Sequence, residues 1–556
     1  MLTTKIVSGL EKPFADDKIE SYPALPKISL LKGERISLQV LCYRPHGDES
    51  FRSILCSIDL SGELSKYARI RRVASVPVTK PVHFPPDSDY LRTTPGLYPD
   101  ILEPLNYSEG IVITPGTLHS LFIDLDIPVD CPTVGDTTLS VKIYSRRVLK
   151  REPYMESESS VQIEVIDKEL PKQSLLFTQW FHSDCLANYY EVEKWSDKHF
   201  AIIESFMRTA KSNGVNMIYT PLISPPLDNL YDTRDIQLAE VTKKDGAYEF
   251  SWERLERWIE LCNRVGIEYF EIGHLFTQSG AAFATKVSGT VDGEYRRIFP
   301  KNTPCDAPEY TDFLRQMLTS FLGFMKKRGD DRRCYFHISD EPSESQLETY
   351  AKAKSSVADL LFGYPVMDAL SDYSFYEKGI LEKPIVILDK LKDFTDARVK
   401  GLWTYTSGSP GAGYSNRLLG MSLARNRSIC LLLYKYDIEG FLHWGYNFYN
   451  NAGSADCINP FLDTGGGDYW PAGDPFSVYP GPHGTPYESL RLVSFYEGLC
   501  DLRAMRLCEK LYSKAEVIAA IEAAIGGEIK ANTYLNTAQE MHRIREIINE
   551  MIKKKV

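Results

Sequence analysis

The chain begins with short runs in which hydrophobic and polar residues alternate. Clear examples are ISLQVLCY (36–43), HSLFIDLDIPV (119–129), TTLSVKIYS (137–145) and SSVQIEVID (159–167), separated by turns rich in Pro, Gly and Asp. A period of two places successive side chains on opposite faces of a strand. The pattern therefore predicts an antiparallel β-sandwich, with long irregular loops in the proline-rich segment 83–105.

The rhythm changes after residue 173, where apolar strands begin to alternate with amphipathic helices. Such alternation is typical of a parallel sheet wrapped by helices. Eight units of this kind predict a (β/α)8 TIM-like barrel. The candidate strands are 174–180, 215–220, 267–276, 334–339, 363–369, 384–389, 399–405 and 440–446.

Helix signals complete the predicted organisation. The segment 311–329 ends in three cations followed by Gly329, as expected for a capped helix C-terminus. Residues 514–556 carry Ala, Glu, Ile and Lys at helical spacing. The predicted domains are an N-terminal β-sandwich over 1–168, a catalytic barrel over 169–512 and a C-terminal helical tail over 513–556.

Composition and charge narrow the class of protein. The 556 residues exceed what one ordinary core accommodates, and 43% hydrophobic with 25% charged residues is typical of a globular protein. There are 64 Lys and Arg against 75 Asp and Glu, a net charge of −11, with no basic stripe longer than the terminal Lys553–Lys555. Phosphate binding needs concentrated positive charge, so we expect no nucleic-acid partner.

The lack of a recognisable targeting signal and the pattern of cysteines both favour a reducing compartment. The start, MLTTKIVSGLEKPFADDK, lacks an apolar core of signal-peptide length, and no later window reaches about 18 uninterrupted apolar residues. The eleven cysteines have no CxxC pair and no zinc spacing, which favours reduced, buried thiols. We therefore expect a cytoplasmic protein without a membrane partner, and the sequence leaves homo-oligomerisation open.

Two adjacent carboxylates, Asp340 and Glu341, end the fourth predicted barrel strand in FHISDEP. Barrel enzymes place their chemistry at the C-terminal ends of the strands. Pro342 cannot continue a strand ladder and disfavours helical geometry at Glu341, so the strand stops at the carboxylates. Ser343 and Gln346 then fit a capping box for the next helix. We expect both carboxyl groups to face the barrel mouth.

Paired carboxylates suit acid–base chemistry, because repulsion raises one pKa while the other group stays charged. Glycoside cleavage needs such a division of labour. The structural alternative is an acidic pair that only complements the dipole of the next helix. An ordinary retaining glycosidase also needs a second carboxylate about 5–5.5 Å from the acid. In similar barrels strand seven supplies it, but the segment 399–416 contains no Asp or Glu.

Substrate-assisted cleavage remains, in which the 2-acetamido oxygen of the sugar attacks C1. In that reaction Asp340 orients and stabilises the amide N–H, while Glu341 acts first as acid and then as base.

Several motifs together resemble glycoside hydrolase family 123, the exo-acting β-N-acetylgalactosaminidases, and the related domain of unknown function 4091. They are HISDEP, EIGHLFTQSGA (271–281), GFLHWGYN (440–447) and DPFSVYPGPHGTPYESLRLVSFYEGLCDLRAM (474–505). The resemblance covers about residues 170–510. It implies an N-terminal β-sandwich, a barrel, substrate-assisted retention and an Asp-Glu pair that maps onto Asp340 and Glu341.

Other predicted strand ends carry residue types that commonly bind sugars. Aromatic faces stack on a pyranose, and imidazoles and amides bind hydroxyls, although core packing is the alternative for each residue. His337, in mid-strand, fits a hydrogen-bonded barrel histidine better than a catalyst. The candidate substrate-binding residues are Trp180, His182, His274, Trp403, Tyr405, His443, Trp444 and Asn447.

A metal hydrolase is a weaker interpretation. His182, Asp184, His274 and Asp340 would have to converge, and the sequence has neither HxH nor HExxH. No glycine-rich phosphate loop lies between a strand and a helix, and GGG at 465–467 fits a flexible turn. We expect no metal and no cofactor.

The sequence therefore predicts a glycoside hydrolase that removes a terminal β-linked N-acetylhexosamine, in the first place N-acetylgalactosamine, from a glycan. One alternative is a glycosidase for a sugar without the acetamido group, with Asp368 or Asp389 as nucleophile at the end of strand five or six. The other is a non-catalytic glycan-binding protein.

Overall fold

The computed structural model describes residues 2–46, 53–82, 85–105, 110–145 and 154–555. The N-terminal part of these residues forms strands that pack into two facing sheets. The strands are β1 (Thr3–Ser8), β2 (Lys27–Lys32), β3 (Arg35–Tyr43), β4 (Ile54–Ser61), β5 (Ala68–Val78), β6 (Gly96–Pro104), β7 (Ile111–Ile113), β8 (Leu118–Asp126), β9 (Gly135–Ser145) and β10 (Tyr154–Glu169).

Strands and helices then alternate. The further strands are β11 (Leu176–Gln179), β12 (Met217–Thr220), β13 (Glu240–Lys244), β14 (Ala247–Ser251), β15 (Tyr269–Ile272), β16 (Ser288–Val291), β17 (Glu294–Arg297), β18 (Cys334–Phe336), β19 (Met367–Ala369), β20 (Lys383–Ile387), β21 (Trp403–Tyr405), β22 (Gly440–His443), β23 (Val478–Pro480) and β24 (Pro486–Ser489). The helices are α1 (Ser183–Tyr189), α2 (Asp197–Ser212), α3 (Glu253–Val265), α4 (Pro308–Arg328), α5 (Leu347–Ser355), α6 (Ser374–Glu377), α7 (Leu391–Asp396), α8 (Leu423–Arg427), α9 (Ile429–Lys435), α10 (Leu490–Leu511), α11 (Lys514–Ile525) and α12 (Ala538–Lys553).

The N-terminal sheets confirm the predicted strands. One sheet has the order β1-β3-β8-β5-β6-β24-β23 and the other β2-β10-β9-β4-β7. Apolar residues from both sheets share a core that includes Leu38, Ile123, Val141 and Ile163. Neighbouring strands in these two sheets run antiparallel, except for β10 and β2, which run parallel. The first sheet also takes up β23 and β24, which follow the barrel strands in the chain.

The expectation of irregular structure throughout 83–105 is wrong for its second half. Residues 83–84 lie outside the described residues, and 85–95 form loops and turns, but β6 pairs with β5 and β24. The register shifts between Ala74 and Ser75, opposite Pro99. Such a bulge accommodates a residue that has no N–H to donate, and the prolines therefore did not prevent a strand.

The predicted barrel strands are all present. Eight parallel strands form one sheet with the order β18-β15-β12-β11-β22-β21-β20-β19. Its two edge strands meet where Phe336 bridges to Val366, and the Phe336 N–H donates to the Pro365 carbonyl over 2.9 Å. The sheet is therefore a nearly closed barrel.

The eight helices of a regular (β/α)8 barrel are not all present, which corrects the predicted fold class in part. After β19 and β20 the chain forms only α6, of four residues, and α7, of six. The connections 370–382 and 388–402 are too short for a turn, a long helix and a return to the sheet. In contrast, the connections after β12 and β15 contain hairpins that form a separate sheet, β14-β13-β16-β17.

The C-terminal helices pack back onto the N-terminal sheets. In α12, the Asn549 side chain donates to Ser29, and Arg545 bridges Glu34 and Asp501. α11 and α12 confirm a helical C-terminal region, while the domain boundaries at 168 and 512 stay predictions.

The helices and the cysteines bear on two expectations from the sequence, namely that the protein has no membrane partner and that its thiols are reduced and buried. None of the helices in the described residues is long and apolar enough to cross a bilayer. All eleven cysteines are described and free, and ten of them are buried, with Cys457 exposed.

Candidate active site

The turn after β18 presents Asp340 and Glu341 at the C-terminal end of the barrel. Asp340 is buried, whereas Glu341 is exposed. The Glu341 N–H donates to the Ala369 carbonyl over 2.9 Å, and the Ser279 N–H donates to the Asp340 carbonyl over 2.8 Å. Glu341 has φ of 45°, a left-handed conformation that is uncommon outside glycine. The turn is therefore tied to strands on both sides.

The chain resumes helical geometry as the sequence predicted. The Ser343 N–H donates to the Gln346 Oε1 over 2.9 Å, which forms the expected capping box ahead of α5. Because this cap is set by local sequence, it fixes where the turn ends.

Each carboxylate is held by a different part of the barrel. The Gln278 Nε2 donates to the Asp340 Oδ2 over 2.8 Å, and the Gln278 Oε1 accepts the Asp228 N–H at the same distance. The Tyr405 hydroxyl, at the end of β21, donates to the Glu341 Oε1 over 2.5 Å. Strands three and seven thus position the pair presented by strand four.

The two carboxyl groups differ in burial, and the buried one, Asp340, has a shifted pKa. Burial, and then the neighbouring charge of Glu341, raise the pKa of Asp340 to about 8. A raised pKa on one member agrees with the prediction from the sequence. The sequence argument assigned the acid role to Glu341, whereas the raised pKa belongs to Asp340.

A buried chain of charged groups crosses the barrel beside this turn. The His337 Nδ1 lies 3.0 Å from the Asp368 Oδ1, and the His337 Nε2 lies 2.8 Å from the Glu271 Oε1. Burial alone would lower the pKa of His337, but hydrogen bonds to the two carboxylates outweigh it and raise this pKa to about 9. The Glu271 Oε1 also accepts the Trp180 Nε1–H over 2.7 Å. His337 is thus the hydrogen-bonded barrel histidine that the sequence predicted.

The residues of the predicted metal alternative do not converge. Asp184 forms a buried ion pair with Arg234 over 2.8 Å, and Arg234 also lies 3.0 Å from the His182 Nδ1. In the described residues, His274, His337 and Asp368 do bring donor atoms within 4.8 Å of one another. Both His337 nitrogens in that group already contact carboxylates, so hydrogen bonding accounts for its arrangement.

Four of the predicted sugar-binding residues, Trp403 among them, belong to the cluster on the inner face of the barrel. The other three are Trp180, Tyr405 and Trp444, and the cluster also contains alternate residues of the strands. Trp444 is half-buried, packs on Trp470 with ring centroids 5.0 Å apart, and donates to the Asp474 Oδ2 over 3.1 Å. Tyr405 contacts Glu341 directly. These aromatic groups accompany the carboxylates at one end of the barrel.

His274 lies deeper in the same region. Its ring stacks on His337 with centroids 4.4 Å apart, and its Nδ1 lies 3.3 Å from the Tyr219 hydroxyl. Burial, and then the charge of His337, hold the pKa of His274 well below its usual range. It is therefore a neutral imidazole.

The remaining predicted residues brace the structure around the site. Trp403 is fully buried in the barrel beside Gly440. The Asn447 side chain bonds the His182 backbone in both directions, over 2.9 and 3.0 Å. His443 lies 3.5 Å from Asp474 and lines an internal cavity of about 10 Å³ together with residues such as Phe177, Arg417 and Arg491. None of these four has a hydrogen bond to the carboxylate pair within the described residues.

Two residues that contact the site were not predicted from the sequence. Glu271 and Gln278 both lie in the motif EIGHLFTQSGA, but their spacing carries no signal of a shared site. Glu271 lies two residues after the inward-facing Tyr269, so its side chain is on the same, inward face of β15. Its charge in a buried strand position was the available sign of a specific role.

The proposed alternative nucleophiles differ in their surroundings. Asp368 is fully buried and accepts from Ile338 N–H, Ser339 N–H, His337 and the Tyr350 hydroxyl. Its oxygens are therefore occupied and cannot reach a sugar. Asp389, after β20, is half-buried and its Oδ1 is a buried atom without a hydrogen-bond partner.

Comparison with known families agrees with this geometry. The family model described as "Glycoside hydrolase 123, catalytic domain" matches residues 180–508, which is more than half of the chain. The chain belongs to glycoside hydrolase family 123. It is therefore a glycoside hydrolase, as the sequence motifs predicted. None of the curated proteins matches it.

Among solved structures, a family 123 glycoside hydrolase from Clostridium perfringens has a similar fold. The TM-score is 0.73 at 16% sequence identity, covering 100% of this chain and 97% of that one. Two other structures match only with low TM-scores. They are the N-terminal domain of PorA (TM-score 0.15, 7% identity, 30% of this chain and 100% of that one) and the chitinase ChiW from Paenibacillus sp. str. FPU-7 (0.16, 10%, 74% and 29%).

Proposed function

We propose that this family 123 enzyme removes a terminal β-linked N-acetylhexosamine, in the first place N-acetylgalactosamine, with retention of configuration. The observation that carries the proposal is the pair Asp340 and Glu341 without a second accessible carboxylate on β21. Tyr405 occupies the position where an ordinary retaining barrel enzyme would have its nucleophile. The sugar's own acetamido group then has to supply it.

The reaction has two steps. The acetamido carbonyl oxygen attacks C1, the bond from C1 to the leaving oxygen breaks, and Glu341 donates a proton to that oxygen. Asp340 accepts a hydrogen bond from the acetamido N–H and stabilises the positive charge of the bicyclic intermediate. Water then attacks C1, Glu341 takes a proton from the water, and the acetamido group is restored.

The raised pKa of Asp340 fits this sequence of events. An acetamido N–H that donates to Asp340 favours its charged form. The proposed reaction assigns the proton for the departing oxygen to Glu341. We infer that substrate binding lowers the pKa of Asp340, so that this carboxylate is charged when a sugar is in place.

For the substrate class we propose the glycan of a glycolipid. The C. perfringens structure is described as that of an enzyme of glycolipid glycan hydrolysis. Trp444, half-buried beside Trp470 at the same end of the barrel, supplies an aromatic face of the kind on which pyranose rings stack. A terminal sugar bound there leaves the rest of the glycan outside the barrel.

The first test is release of nitrophenol from the aryl β-glycosides of N-acetylgalactosamine, N-acetylglucosamine and galactose. We expect turnover of an N-acetylated sugar only, loss of turnover in Glu341→Gln, and a severe reduction in Asp340→Asn. A thiazoline mimic of the bicyclic intermediate should inhibit the wild type. A glycolipid with terminal N-acetylgalactosamine then tests the substrate class.

Other results would contradict the proposal in different ways. Turnover of the galactoside alone would overturn the role of Asp340 and direct attention to Asp389, whose Oδ1 lacks a partner. Glycan binding that survives in Glu341→Gln, with no hydrolysis by the wild type, would favour a glycan-binding protein.

A further inference from the structure

The two edge strands of the barrel meet in a short backbone contact directly before the turn that carries Asp340 and Glu341. β18 and β19 share the Phe336 bridge to Val366, and above it the strands no longer exchange backbone hydrogen bonds in a ladder. The N–H groups of Ile338 and Ser339 instead donate to the carboxylate of Asp368, over 3.0 and 3.3 Å. A side chain thus takes the place of the strand partner. Buried amides need such an acceptor.

The catalytic turn begins at the residue that Asp368 holds. Ser339 precedes Asp340, and its hydroxyl donates to the Thr277 carbonyl over 2.8 Å and accepts the Ala281 N–H over 3.0 Å. Further along, Glu341 is kept in its left-handed conformation by the bond from its N–H to Ala369, the last residue of β19. Such a conformation persists only where its surroundings determine it.

Two side chains in turn hold the carboxylate of Asp368. His337 lies on one oxygen at 3.0 Å, and the Tyr350 hydroxyl of α5 donates to the other over 2.5 Å. Glu271 holds the far side of His337 and also the indole of Trp180. One network therefore connects strands one, three, four and five with the indole of Trp180.

We propose that Asp368 is a positioning residue for the reaction. Its carboxylate holds the backbone at 338–339 and, through it, the turn that presents Asp340 and Glu341, while His337 and Glu271 keep that carboxylate in place. The inference rests on the proposed function, because it assigns Asp368 a role in that reaction. Asp368 touches no substrate, in contrast to the alternative in which it is the nucleophile.

The test compares two buried aspartates. Asp368→Asn keeps the side-chain shape but removes the charge and one acceptor oxygen. We expect kcat on the N-acetylated aryl glycoside to fall by about tenfold to a hundredfold, because a misplaced proton donor loses part of the roughly 10²–10⁴-fold that general acid catalysis contributes. KM should change by less than about threefold, because Asp368 does not touch the sugar.

The matched control is Asp100→Asn. Asp100 is also fully buried and also accepts from a tyrosine, Tyr479, and it pairs with Arg491, but it lies between the N-terminal sheet and α10. We expect its replacement to lower Tm without lowering kcat at a temperature where the variant is folded. Equal losses of kcat in both variants would show that Asp368 acts only through stability and would overturn the proposal.

The dependence on the leaving group gives a second readout. If the turn moves, the proton donor Glu341 is misplaced, and the loss in Asp368→Asn should be largest for poor leaving groups. It should shrink for a dinitrophenyl glycoside, which departs with little protonation. An equal loss for all leaving groups would contradict misplacement of Glu341.

A crystal structure of Asp368→Asn separates this inference from the proposed function. We expect the bond from Glu341 N–H to Ala369 to lengthen or break. An unmoved turn with wild-type kcat would overturn the positioning role. A wild type that turns over no N-acetylated sugar would overturn the proposed function and, with it, the role of Asp368 in that reaction; the position of the turn in the variant would still show whether Asp368 holds it.

Discussion

Asp340 and Glu341 are neighbours in the chain with nearly the same chemistry, yet their surroundings separate them. Asp340 is buried against Gln278, while Glu341 is exposed and contacts Tyr405. Desolvation penalises the charged form of the buried group and raises the pKa of Asp340. The proposed reaction uses this difference, because the buried carboxylate meets the acetamido group and the exposed one meets the leaving oxygen.

The raised pKa of Asp340 predicts the pH dependence of kcat/KM. This pKa is raised from 3.8 to about 8, so Asp340 keeps its proton below about pH 8 and loses it above. Because the reaction needs one proton on the pair, kcat/KM should fall as the pH rises through about 8. The measurement is kcat/KM on the N-acetylated aryl glycoside from about pH 4 to about pH 10, the range between the ordinary titration of carboxylates and that of lysines.

The residual activity of Asp340→Asn provides the control for this prediction. The limb near pH 8 should be absent from its profile, since the group that carries the proton is gone. If the limb stays, the proton belongs to another group.

At the scale of secondary-structure elements, the barrel is packed tightly where β21 and β22 run side by side. Trp403 and Gly440 are paired across these strands. A Cβ added at Gly440 would lie 2.2 Å from the indole of Trp403, far inside van der Waals contact. Only a residue without a side chain permits this close approach. Gly440 therefore leaves the space inside the barrel that the ring of Trp403 occupies.

Gly440→Ala should therefore destabilise the protein by about 1–3 kcal/mol, the usual effect of overpacking a core. The matched control is Gly323→Ala, on the exposed face of α4, where an added Cβ meets nothing within 4 Å. Because alanine is the better helix former, the control should stabilise by up to about 1 kcal/mol. Urea unfolding measures both, and equal effects in the two variants would contradict the packing argument.

At the scale of the whole molecule, buried charges connect the regions of the chain. Arg545 of α12 donates to Glu34 over 2.6 Å and to Asp501 of α10 over 3.0 Å. Arg491 binds Asp100 over 2.8 Å, and so joins α10 to β6. The N-terminal sheets, the barrel and the C-terminal helices therefore support one another, and the predicted helical tail is part of the packed structure.

Removing one member of such a buried pair leaves the other charge without compensation. Arg545→Ala should lower the free energy of unfolding by about 3–5 kcal/mol. Lys392→Ala serves as the comparison, because its ion pair with Asp396 is exposed and should contribute less than about 1 kcal/mol. Denaturant unfolding distinguishes the two. Similar small effects would show that the C-terminal helices add little to the stability of the N-terminal sheets.

Local features of the sequence determined much of the fold. The eight barrel strands and the N-terminal strands with alternating hydrophobic residues were predictable because hydrophobic period and turn residues act over a few positions, whereas the proline-rich β6 was missed. The place of Asp340 and Glu341 after a barrel strand was predictable for the same reason, since Ser343 begins the next helix, although β18 ends at Phe336 and not at the carboxylates before Pro342. The short connections around α6 and α7 showed the limit of this reasoning, because a repeating rhythm does not require full helices.

The tertiary structure alone decided which residues surround the carboxylates. Gln278 lies 62 positions before Asp340, and Glu271 lies 66 positions before His337, so no local pattern joins them. The same holds for Asp368, which as a strand-end carboxylate looked like a nucleophile. Its neighbours reveal its role, because whether a buried charge reacts or positions depends on what occupies its oxygens, and closure of the barrel brings those partners together.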